Sequence, residues 1–252
     1  MSGTLYLVPN GLDTGTAEAD ADLRERLPLG TLRTAARLAH WACENAKSAR
    51  AFLKRVDAAC PLAQPIQAIA IVELPRPPKG RADTAPFEGD RLLAPAIAGH
   101  DLGLVCEAGL PALADPGARL VAAAHAAGVR VVALPGASSI ALAVAASGLN
   151  GQSFSFVGYL PTESDARSAR IRELEALSRR HGQTQVAIET PYRNAALLAA
   201  LVGQLQPATV LSVSVGLTLA SETTRSAPVA RWRAEPHGVP ADVPAVFAWL
   251  AR

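Results

Sequence analysis

The chain has 252 residues, of which 50% are hydrophobic and 18% are charged, and its formal net charge is +2. This apolar content is enough for the core of one large or two smaller domains, and with only 4% aromatic residues it suits the layers of an α/β fold. No apolar run reaches the roughly 18 residues of a membrane span, the N-terminus lacks the basic and apolar regions of a signal peptide, and three irregularly spaced cysteines indicate neither a disulfide framework nor a zinc knuckle. We therefore expect a cytoplasmic protein, and the near-neutral charge argues neither for nor against a nucleic-acid partner.

The first part of the chain alternates between short apolar strands and helices. The predicted strands, in chain order, are "GTLYLVPN", "LAHWAC", "IQAIAIVEL", "DLGLVC" and "VRVVAL". The predicted helices lie at 31–37, "ENAKSARAFLKRV", 91–98, "ARLVAAAHAAG" and "IALAVAASG", and a loop rich in Pro, Gly and charge lies at 76–90. The regular alternation after Asp101 predicts a parallel sheet with right-handed crossovers, in which "VRVVAL" is a buried strand.

Local signals mark the faces and ends of these helices. One predicted helix carries an apolar stripe at helical spacing, formed by Ala49, Phe52, Leu53 and Val56. Gly128 is placed to end the helix before "VRVVAL", and Ser138 or Ser139 to cap the start of "IALAVAASG". Basic residues cluster on two helices, and we interpret both clusters as solvated faces: Lys47, Arg50, Lys54 and Arg55 on one, and Arg167, Arg170, Arg172, Arg179 and Arg180 on the other.

A turn-rich break, "GLNGQ" at 148–152, predicts the domain boundary, with domains at 1–149 and 150–252. After it come a strand "FSFVGYL", a charged helix at 164–180, a strand "QVAIET", a helix after "PYRN" and a strand "TVLSVSVGL". The last segments, "TRSAPVARW" and "AVFAWLA", show no clear helix between them, so the second sheet is expected to gain antiparallel strands and become mixed. The predicted fold class is thus two α/β domains, an N-terminal one with a parallel sheet and a C-terminal one with a mixed sheet.

Several common catalytic signatures are missing. The chain has no G-x-G-x-x-G after its first strand and no G-x-x-x-x-G-K-[ST], so the usual dinucleotide and phosphate loops are not indicated. Its five histidines are scattered, so we predict no metal site. It also lacks a G-x-S-x-G elbow, and Ser138 and Ser139 are better explained as helix caps than as nucleophiles.

What remains is a set of loops at the carboxyl ends of predicted strands, where open α/β sheets bind ligands. These loops are "VPN", "EAGLPALADPG" at 107–117, "PGASS" and, in the second half, "ETPYRN". Small residues there let the backbone approach a ligand closely. Each loop taken alone is better explained as an ordinary turn that needs Gly and Pro, and only the loops together make a ligand site an equal alternative. Glu107 and Asp115 are two of only five Asp, Glu, Lys or Arg residues between 101 and 160.

Together these motifs resemble the tetrapyrrole methylase superfamily of S-adenosylmethionine-dependent methyltransferases. The likeness is closest to the branch that 2′-O-methylates a cytidine of small-subunit ribosomal RNA. That branch opens with "GTLYLVP", as here, and its "EDTR" motif is matched by 44–47. Its "DAGTPLISDPG" is matched by 107–117, "PGPSA" by 135–139, "ESPHR" by 189–193 and "LTK…E" by "LTLASE" at 217–222. The motifs keep their order along the chain, which is more specific than any one of them.

The resemblance implies a homodimer of two-domain α/β chains, with S-adenosylmethionine held in a cleft between the domains. Carried over position by position, the donor-binding residues would be Pro9, Glu107, Leu110, Leu113, Ala114, Ser138, Ser139, Thr190, Pro191 and Leu217. Most of these side chains are small or apolar, so they would act through backbone groups and shape. The resemblance also implies ribosomal RNA or the small ribosomal subunit as a partner, and no membrane.

The sequence departs from the family pattern at several motif positions. Glu107 replaces the Asp of "DAG", the "EDTR" motif has become "ENAK", and "ESPHR" has become "ETPYR". The sequence given also ends soon after the second predicted sheet, without the C-terminal extension associated with the ribosomal branch. Donor binding should therefore be better preserved than the identity of the substrate.

Methyl transfer to a hydroxyl needs alignment of the reactants and removal of a proton. The candidate catalytic residues are Glu44 and Lys47, as base or as a cation activating the hydroxyl, with Tyr192 and Arg193 orienting the substrate. The alternative for Glu44 and Lys47 is a surface pair at helical spacing. Two other functions stay open: methylation of a small molecule such as a tetrapyrrole, and a donor-binding module without catalysis. Asp115 is expected to cap the helix that starts near Gly117.

Overall fold

A computed structural model describes residues 2–13, 22–75 and 87–252. Most of the loop predicted at 76–90 therefore lies outside the described residues. The chain divides into two compact units, Met1–Ala137 and Ser138–Arg252. Within the described ranges, every helix is too short or too polar to cross a bilayer.

The first unit is built on a five-stranded sheet whose paired strands are all parallel, as predicted. Its strands are β1 (Thr4–Leu7), β2 (His40–Cys43), β3 (Ala70–Glu73), β4 (Leu102–Val105) and β5 (Arg130–Ala133). The strand order is β3-β2-β4-β1-β5, so Leu5 of β1 pairs with Leu102 of β4 on one side and Val131 of β5 on the other. All four residues of β4 are buried, as expected of a central strand that is apolar on both faces.

Two pairs of helices cover the two faces of this sheet. They are α1 (Leu29–Arg37) and α2 (Ala46–Ala59), which pack together, and α3 (Gly89–Ile97) and α4 (Ala118–Ala126), which also pack together. Trp41 of β2 belongs to the core beneath α1 and α2, whereas its neighbour Ala42 belongs to the core beneath α3 and α4. The predicted stripe of α2 is confirmed, because its buried residues are Ala49, Phe52, Leu53 and Val56. Gly128 follows α4 with a φ of 68°, the left-handed conformation expected after a helix end.

The burial predicted for β5 is wrong. This strand lies at the edge of the sheet and pairs only with β1 among the described strands. Arg130 and Ala133 are exposed, and Val131 and Val132 are half-buried. An apolar run therefore does not distinguish an edge strand from a central one, because strand order is set by contacts far apart in the sequence.

The second unit carries a five-stranded mixed sheet, as predicted. In chain order its elements are α5 (Ser139–Ser147), β6 (Phe154–Gly158), α6 (Ser164–His181), β7 (Thr184–Glu189), α7 (Asn194–Gln204), β8 (Val210–Val215), β9 (Thr223–Pro228), α8 (Val229–Ala234) and β10 (Ala245–Leu250). The strand order is β6-β7-β10-β8-β9, with β6 and β7 parallel and the other pairs antiparallel.

Two helices of this unit differ from the prediction, one in the unit to which it belongs and the other in not having been predicted at all. Helix α5 contacts β8, β9 and β10, so the division between units falls before α5, while the boundary expected at 149/150 falls just after it. Helix α8 was not predicted. It has only six residues, of which Val229 and Trp232 are buried, and such a short stretch offers too little periodicity to be recognised.

A buried carboxylate fastens α6 to the loop before β8. Glu175 is 4% exposed, and its Oε1 accepts hydrogen bonds from the backbone N–H of Gln206, at 2.8 Å, and from the hydroxyl of Thr209. We expect Glu175→Ala to lower the free energy of unfolding by about 2–3 kcal/mol, because both donors would stay buried without an acceptor.

Glu173 on the same helix is the matched control for urea unfolding. It is exposed and pairs with Arg170 three residues away, so Glu173→Ala should cost no more than about 0.5 kcal/mol. Equal losses in the two variants would contradict the structural role assigned to Glu175.

Candidate active-site pocket

Three loops meet at the carboxyl edge of the first sheet, and a buried asparagine ties two of them together. Asn10 follows β1 and is 4% exposed. Its side-chain amide donates to the carbonyl oxygens of Cys106, at 3.3 Å, and Glu107, at 3.0 Å, and its backbone N–H donates to Gly109 O at 2.9 Å. Asn10 thus fixes the start of the 107–117 loop. Asn10 is not among the residues predicted from the sequence, because an Asn after an apolar strand does not by itself tell which loop it will bind.

The 107–117 loop is held in an uncommon backbone conformation. Within the described residues, the non-glycine positions with positive φ are Ala112 at 65°, Ala114 at 66° and Thr218 at 72°. Side chains disfavour this conformation, which costs on the order of 1 kcal/mol or more per residue and is concentrated at functional sites. Two of the three lie in the loop predicted to bind the donor, and the third follows Leu217, one of the donor-binding residues predicted in the second unit.

Asp115 closes this loop and also binds the residue at the start of α4, in keeping with its predicted role. Its Oδ1 accepts hydrogen bonds from the backbone N–H of Ala112, at 2.9 Å, and of Gly117, at 2.7 Å. Helix α4 begins at Ala118, and Gly117 is its N-cap residue. Asp115 therefore ties Ala112, within the loop, to Gly117, where the helix begins.

An open pocket of about 750 Å³ lies beside this loop. Its lining combines carboxylates with small or apolar residues: Glu44, Asn45, Leu74, Pro75, Glu107, Ala114, Asp115 and Pro116. We call it the Glu44 pocket. Glu44 Oε1 accepts from the backbone N–H of Glu107 at 3.2 Å, and Glu107 Oε1 accepts from the hydroxyl of Ser48 at 2.6 Å. The junction after β2 and the loop after β4 are thereby joined through two acids.

The altered "ENAK" segment keeps a helix-capping role. Asn45 is the N-cap of α2, and its Oδ1 accepts from the backbone N–H of Lys47 at 2.8 Å and of Ser48 at 3.4 Å. Glu73 supplies a further acceptor for the Ala46 N–H at 2.7 Å. Lys47 itself does not line the Glu44 pocket but a separate groove on α2. The structure therefore places the two predicted members of this catalytic pair in different depressions.

Glu44 lies close to a thiol and to another carboxylate. Possible ligand atoms of Glu44, Cys106 and Asp115 lie within 4.8 Å of one another. The Cys106 thiol donates to Ala108 O at 3.1 Å, and burial, with the charges of Asp115 and Glu44, raises its pKa far above the usual range. The thiol hydrogen is engaged by a backbone carbonyl, and we assign no metal to this cluster.

The loops after β1 and β5 are packed directly against each other. A Cβ atom at Gly136 would lie only 2.3 Å from Cγ of Pro9, so only glycine allows this approach. Pro9 is buried, whereas Leu113 is 43% exposed beside the exposed Ala114, and Leu110 is half-buried. Gly136 was not among the predicted site residues.

The remaining predicted donor residues belong to the second unit. Ser138 caps α5, as predicted, and its Oγ accepts from the Ala141 N–H at 3.4 Å; Ser139 is the first residue of that helix. Glu189, the last residue of β7, and Val215, the last of β8, both pair with Ala245. The loops that carry Thr190, Pro191 and Leu217 therefore leave the second sheet at the same edge.

The two residues of the second unit that are predicted to orient the substrate differ in how firmly their side chains are held. Tyr192 is 74% exposed. Arg193 Nη2 lies 3.0 Å from the buried Oε2 of Glu189, whose other oxygen accepts from the Thr190 N–H at 2.8 Å. The Tyr192 ring is thus available for stacking, while the Arg193 guanidinium is held in place by an ion pair.

The model of a known protein family matches most of the chain. The model of the family described as Tetrapyrrole (Corrin/Porphyrin) Methylases matches residues 30–231. The chain belongs to this family. The matched range includes the junction 44–47 and the loops 107–117 and 189–193, whereas Pro9 and Asn10 lie before it.

Similar curated proteins carry the name "Ribosomal RNA small subunit methyltransferase I". The one from Vibrio cholerae is 37% identical over 142 residues, which are 55% of this chain and 48% of the relative. The one from Pseudomonas aeruginosa is 33% identical over 143 residues, 57% of this chain and 49% of the relative. The matched part of this chain thus spans slightly less than half the length of either relative.

Solved structures of methyltransferases share the fold. The uroporphyrin-III-C-methyltransferase from Thermus thermophilus has a TM-score of 0.52 and 20% identity, covering 99% of this chain and 93% of its own. The methyltransferase CobJ has a TM-score of 0.52 and 17% identity, covering 99% of this chain and 95% of its own. At these identities the likeness concerns the fold alone.

Proposed function

We propose that this protein is an S-adenosylmethionine-dependent methyltransferase that 2′-O-methylates a cytidine ribose in small-subunit ribosomal RNA. Family membership and the names of the curated relatives support the reaction class and the RNA acceptor. The observation that carries the assignment to a site is the Glu44 pocket, where Glu44 adjoins two carboxylates of the strained 107–117 loop, Glu107 and Asp115. On this reading the protein acts in the cytoplasm, as a homodimer, on the small ribosomal subunit.

The residues of the first unit fit the proposed donor. A volume of about 750 Å³ lies within the range of small-molecule sites. S-adenosylmethionine carries two cationic groups, a sulfonium and an ammonium, and Glu44 and Glu107 supply negative charge, while Leu74 and Ala114 supply apolar contact. The predicted donor residues Pro9, Leu110 and Leu113 belong to the loops at the same sheet edge, and Ser138, Ser139, Thr190, Pro191 and Leu217 are proposed to contribute from the second unit.

The proposed chemistry is an in-line displacement at a methyl carbon. The bound donor supplies that methyl on a sulfonium, which takes up the electron pair of the broken C–S bond. Glu44 removes the proton of the ribose 2′-hydroxyl as its oxygen forms the new bond to carbon. We assign the base to Glu44 rather than Lys47 because only Glu44 lines the pocket. Tyr192 is proposed to stack on a base and Arg193, fixed by Glu189, to orient the RNA.

Transfer of a labelled methyl group tests the proposed acceptor. Purified protein is incubated with labelled S-adenosylmethionine and either small ribosomal subunits from a strain lacking this gene or uroporphyrinogen. We expect label in the ribosomal RNA alone. Label in the tetrapyrrole alone would replace the ribosomal assignment by the small-molecule one, and donor binding without any transfer would favour the non-catalytic module.

A further inference from the structure

A basic groove runs along α2 next to the Glu44 pocket. It has a volume of about 500 Å³, and its lining is Lys47, Arg50, Ala51, Lys54, Ile66 and Gln67. Three of these six residues are cations and none is acidic. We call it the α2 groove.

The three cations share one face of α2 because they are spaced by three and four residues. Within the described parts of the chain, none of them forms a salt bridge, and Arg50 donates only to the carbonyl oxygen of Ala46, at 3.3 Å. Arg55 on the same helix behaves differently, because its Nη2 lies 2.7 Å from the buried Oδ2 of Asp13. The sequence cluster thus separates into one structural arginine and three exposed cations with no acidic partner.

An anion is the occupant that this charge pattern fits. Lys47 and Lys54 are seven residues apart, or roughly 10 Å along the helix axis. One nucleic-acid strand carries a phosphate about every 3.4 Å of helix axis, so a run of three or four successive phosphates spans the same length. Ile66 and Gln67 form the opposite wall, which gives the groove an apolar and a hydrogen-bonding contact in addition to its charge.

The groove and the proposed catalytic pocket are lined by residues close together in the chain. Glu44 and Asn45, just before α2, line the pocket, and Lys47 on the first turn of α2 lines the groove. An RNA strand whose backbone follows α2 would therefore lead toward the acceptor site.

We infer that the α2 groove binds the phosphodiester backbone of the RNA next to the methylated nucleotide. This inference rests on the proposed function, because it names the surface that receives the RNA substrate. It also revises the interpretation of these basic residues as a merely solvated face.

The double variant Arg50→Gln/Lys54→Gln tests the inference without altering the pocket. Both residues are exposed, so the variant should keep the wild-type melting temperature. We expect its KM for small ribosomal subunits to rise roughly tenfold at physiological salt and its log-log salt slope to fall by about 1.4–1.8, as for two lost phosphate contacts. Its kcat and its affinity for S-adenosylmethionine should not change.

A matched control removes the same charge elsewhere on the first unit. Arg33 on α1 and Arg130 on β5 are both exposed, and Arg33→Gln/Arg130→Gln should leave KM and salt slope at their wild-type values. If the wild-type protein methylates RNA and the α2 variant has an unchanged KM and salt slope, the α2 groove does not bind the RNA backbone. That result would not contradict the proposed function. Equal effects in both double variants would also overturn binding at the α2 groove, since they would reflect net charge. Failure of the wild-type protein to methylate RNA would instead remove the proposed function itself.

Discussion

Replacing Glu44 by Gln is expected to slow methyl transfer by roughly 10²–10⁴-fold, the usual contribution of a general base. The amide keeps the shape of the side chain and an oxygen that can accept from the Glu107 N–H, a bond of 3.2 Å in the wild-type protein. Loss of the charge should weaken binding of the cationic donor somewhat, so the effect assigned to the base should be measured at saturating S-adenosylmethionine, as the single-turnover rate of label transfer to RNA.

Two further variants sharpen the result for Glu44. Glu25→Gln removes an exposed carboxylate outside the pocket and should transfer methyl groups at the wild-type rate. Glu107→Gln is expected to weaken donor binding more than it slows the transfer step, because Glu107 is one of the proposed donor contacts. A Glu44→Gln enzyme with a near wild-type rate would show that Glu44 is not the base.

The second large effect is expected at a glycine. A methyl group at Gly136 would overlap the Pro9 ring, since the Cβ position lies 2.3 Å from Pro9 Cγ and 2.5 Å from Pro9 Cβ. Gly136→Ala must therefore push apart the loops after β1 and β5, and overpacking of this kind costs about 1–3 kcal/mol. We expect affinity for S-adenosylmethionine, measured by calorimetry, to fall roughly tenfold or more, because 1.4 kcal/mol is a factor of ten in binding.

Gly30 provides the control for this substitution. It lies near the start of α1, and a Cβ there would meet no atom within 4 Å, so Gly30→Ala should leave donor affinity unchanged and add slightly to stability. Wild-type donor affinity in Gly136→Ala would mean that contact between the two loops does not shape the donor site.

Much of the fold was predictable because its signals are local. The apolar stripe of α2 can be recognised from the residues of that helix alone. The Ser138 cap of α5 can be recognised from a single turn. Strand order is different in kind, because β5 pairs with β1 across more than a hundred residues. The apolar pattern of the sequence therefore could not predict the edge position of β5 or its partial exposure.

The site was predictable as a set of loops but not as a set of contacts. The sequence indicated that the loop 107–117 follows a buried strand, and the structure adds that Asp115 binds Ala112 and Gly117 within it. The family resemblance suggested that Glu44 and Lys47 act together in catalysis, and their helical spacing offered a surface pair as the alternative. Glu44 precedes α2, however, and Asn45 caps the helix, so the two side chains line different depressions.

The roles of Asn10 and Gly136 could be recognised only from the folded structure. Each contacts a loop far away in the sequence, Asn10 the start of 107–117 and Gly136 the Pro9 ring. A strand that ends in Pro-Asn and a turn that begins with Pro-Gly are both common, and neither tells which partner the residue will meet.

The most direct test of the account is the nucleoside composition of small-subunit ribosomal RNA after reaction. Subunits from a strain lacking this gene are treated with wild-type protein and S-adenosylmethionine, digested to nucleosides and analysed by mass spectrometry. We predict the appearance of 2′-O-methylcytidine with the wild-type protein and almost none with Glu44→Gln. Unmodified ribosomal RNA, or a methyl group on a base instead of a ribose, would contradict the proposed reaction.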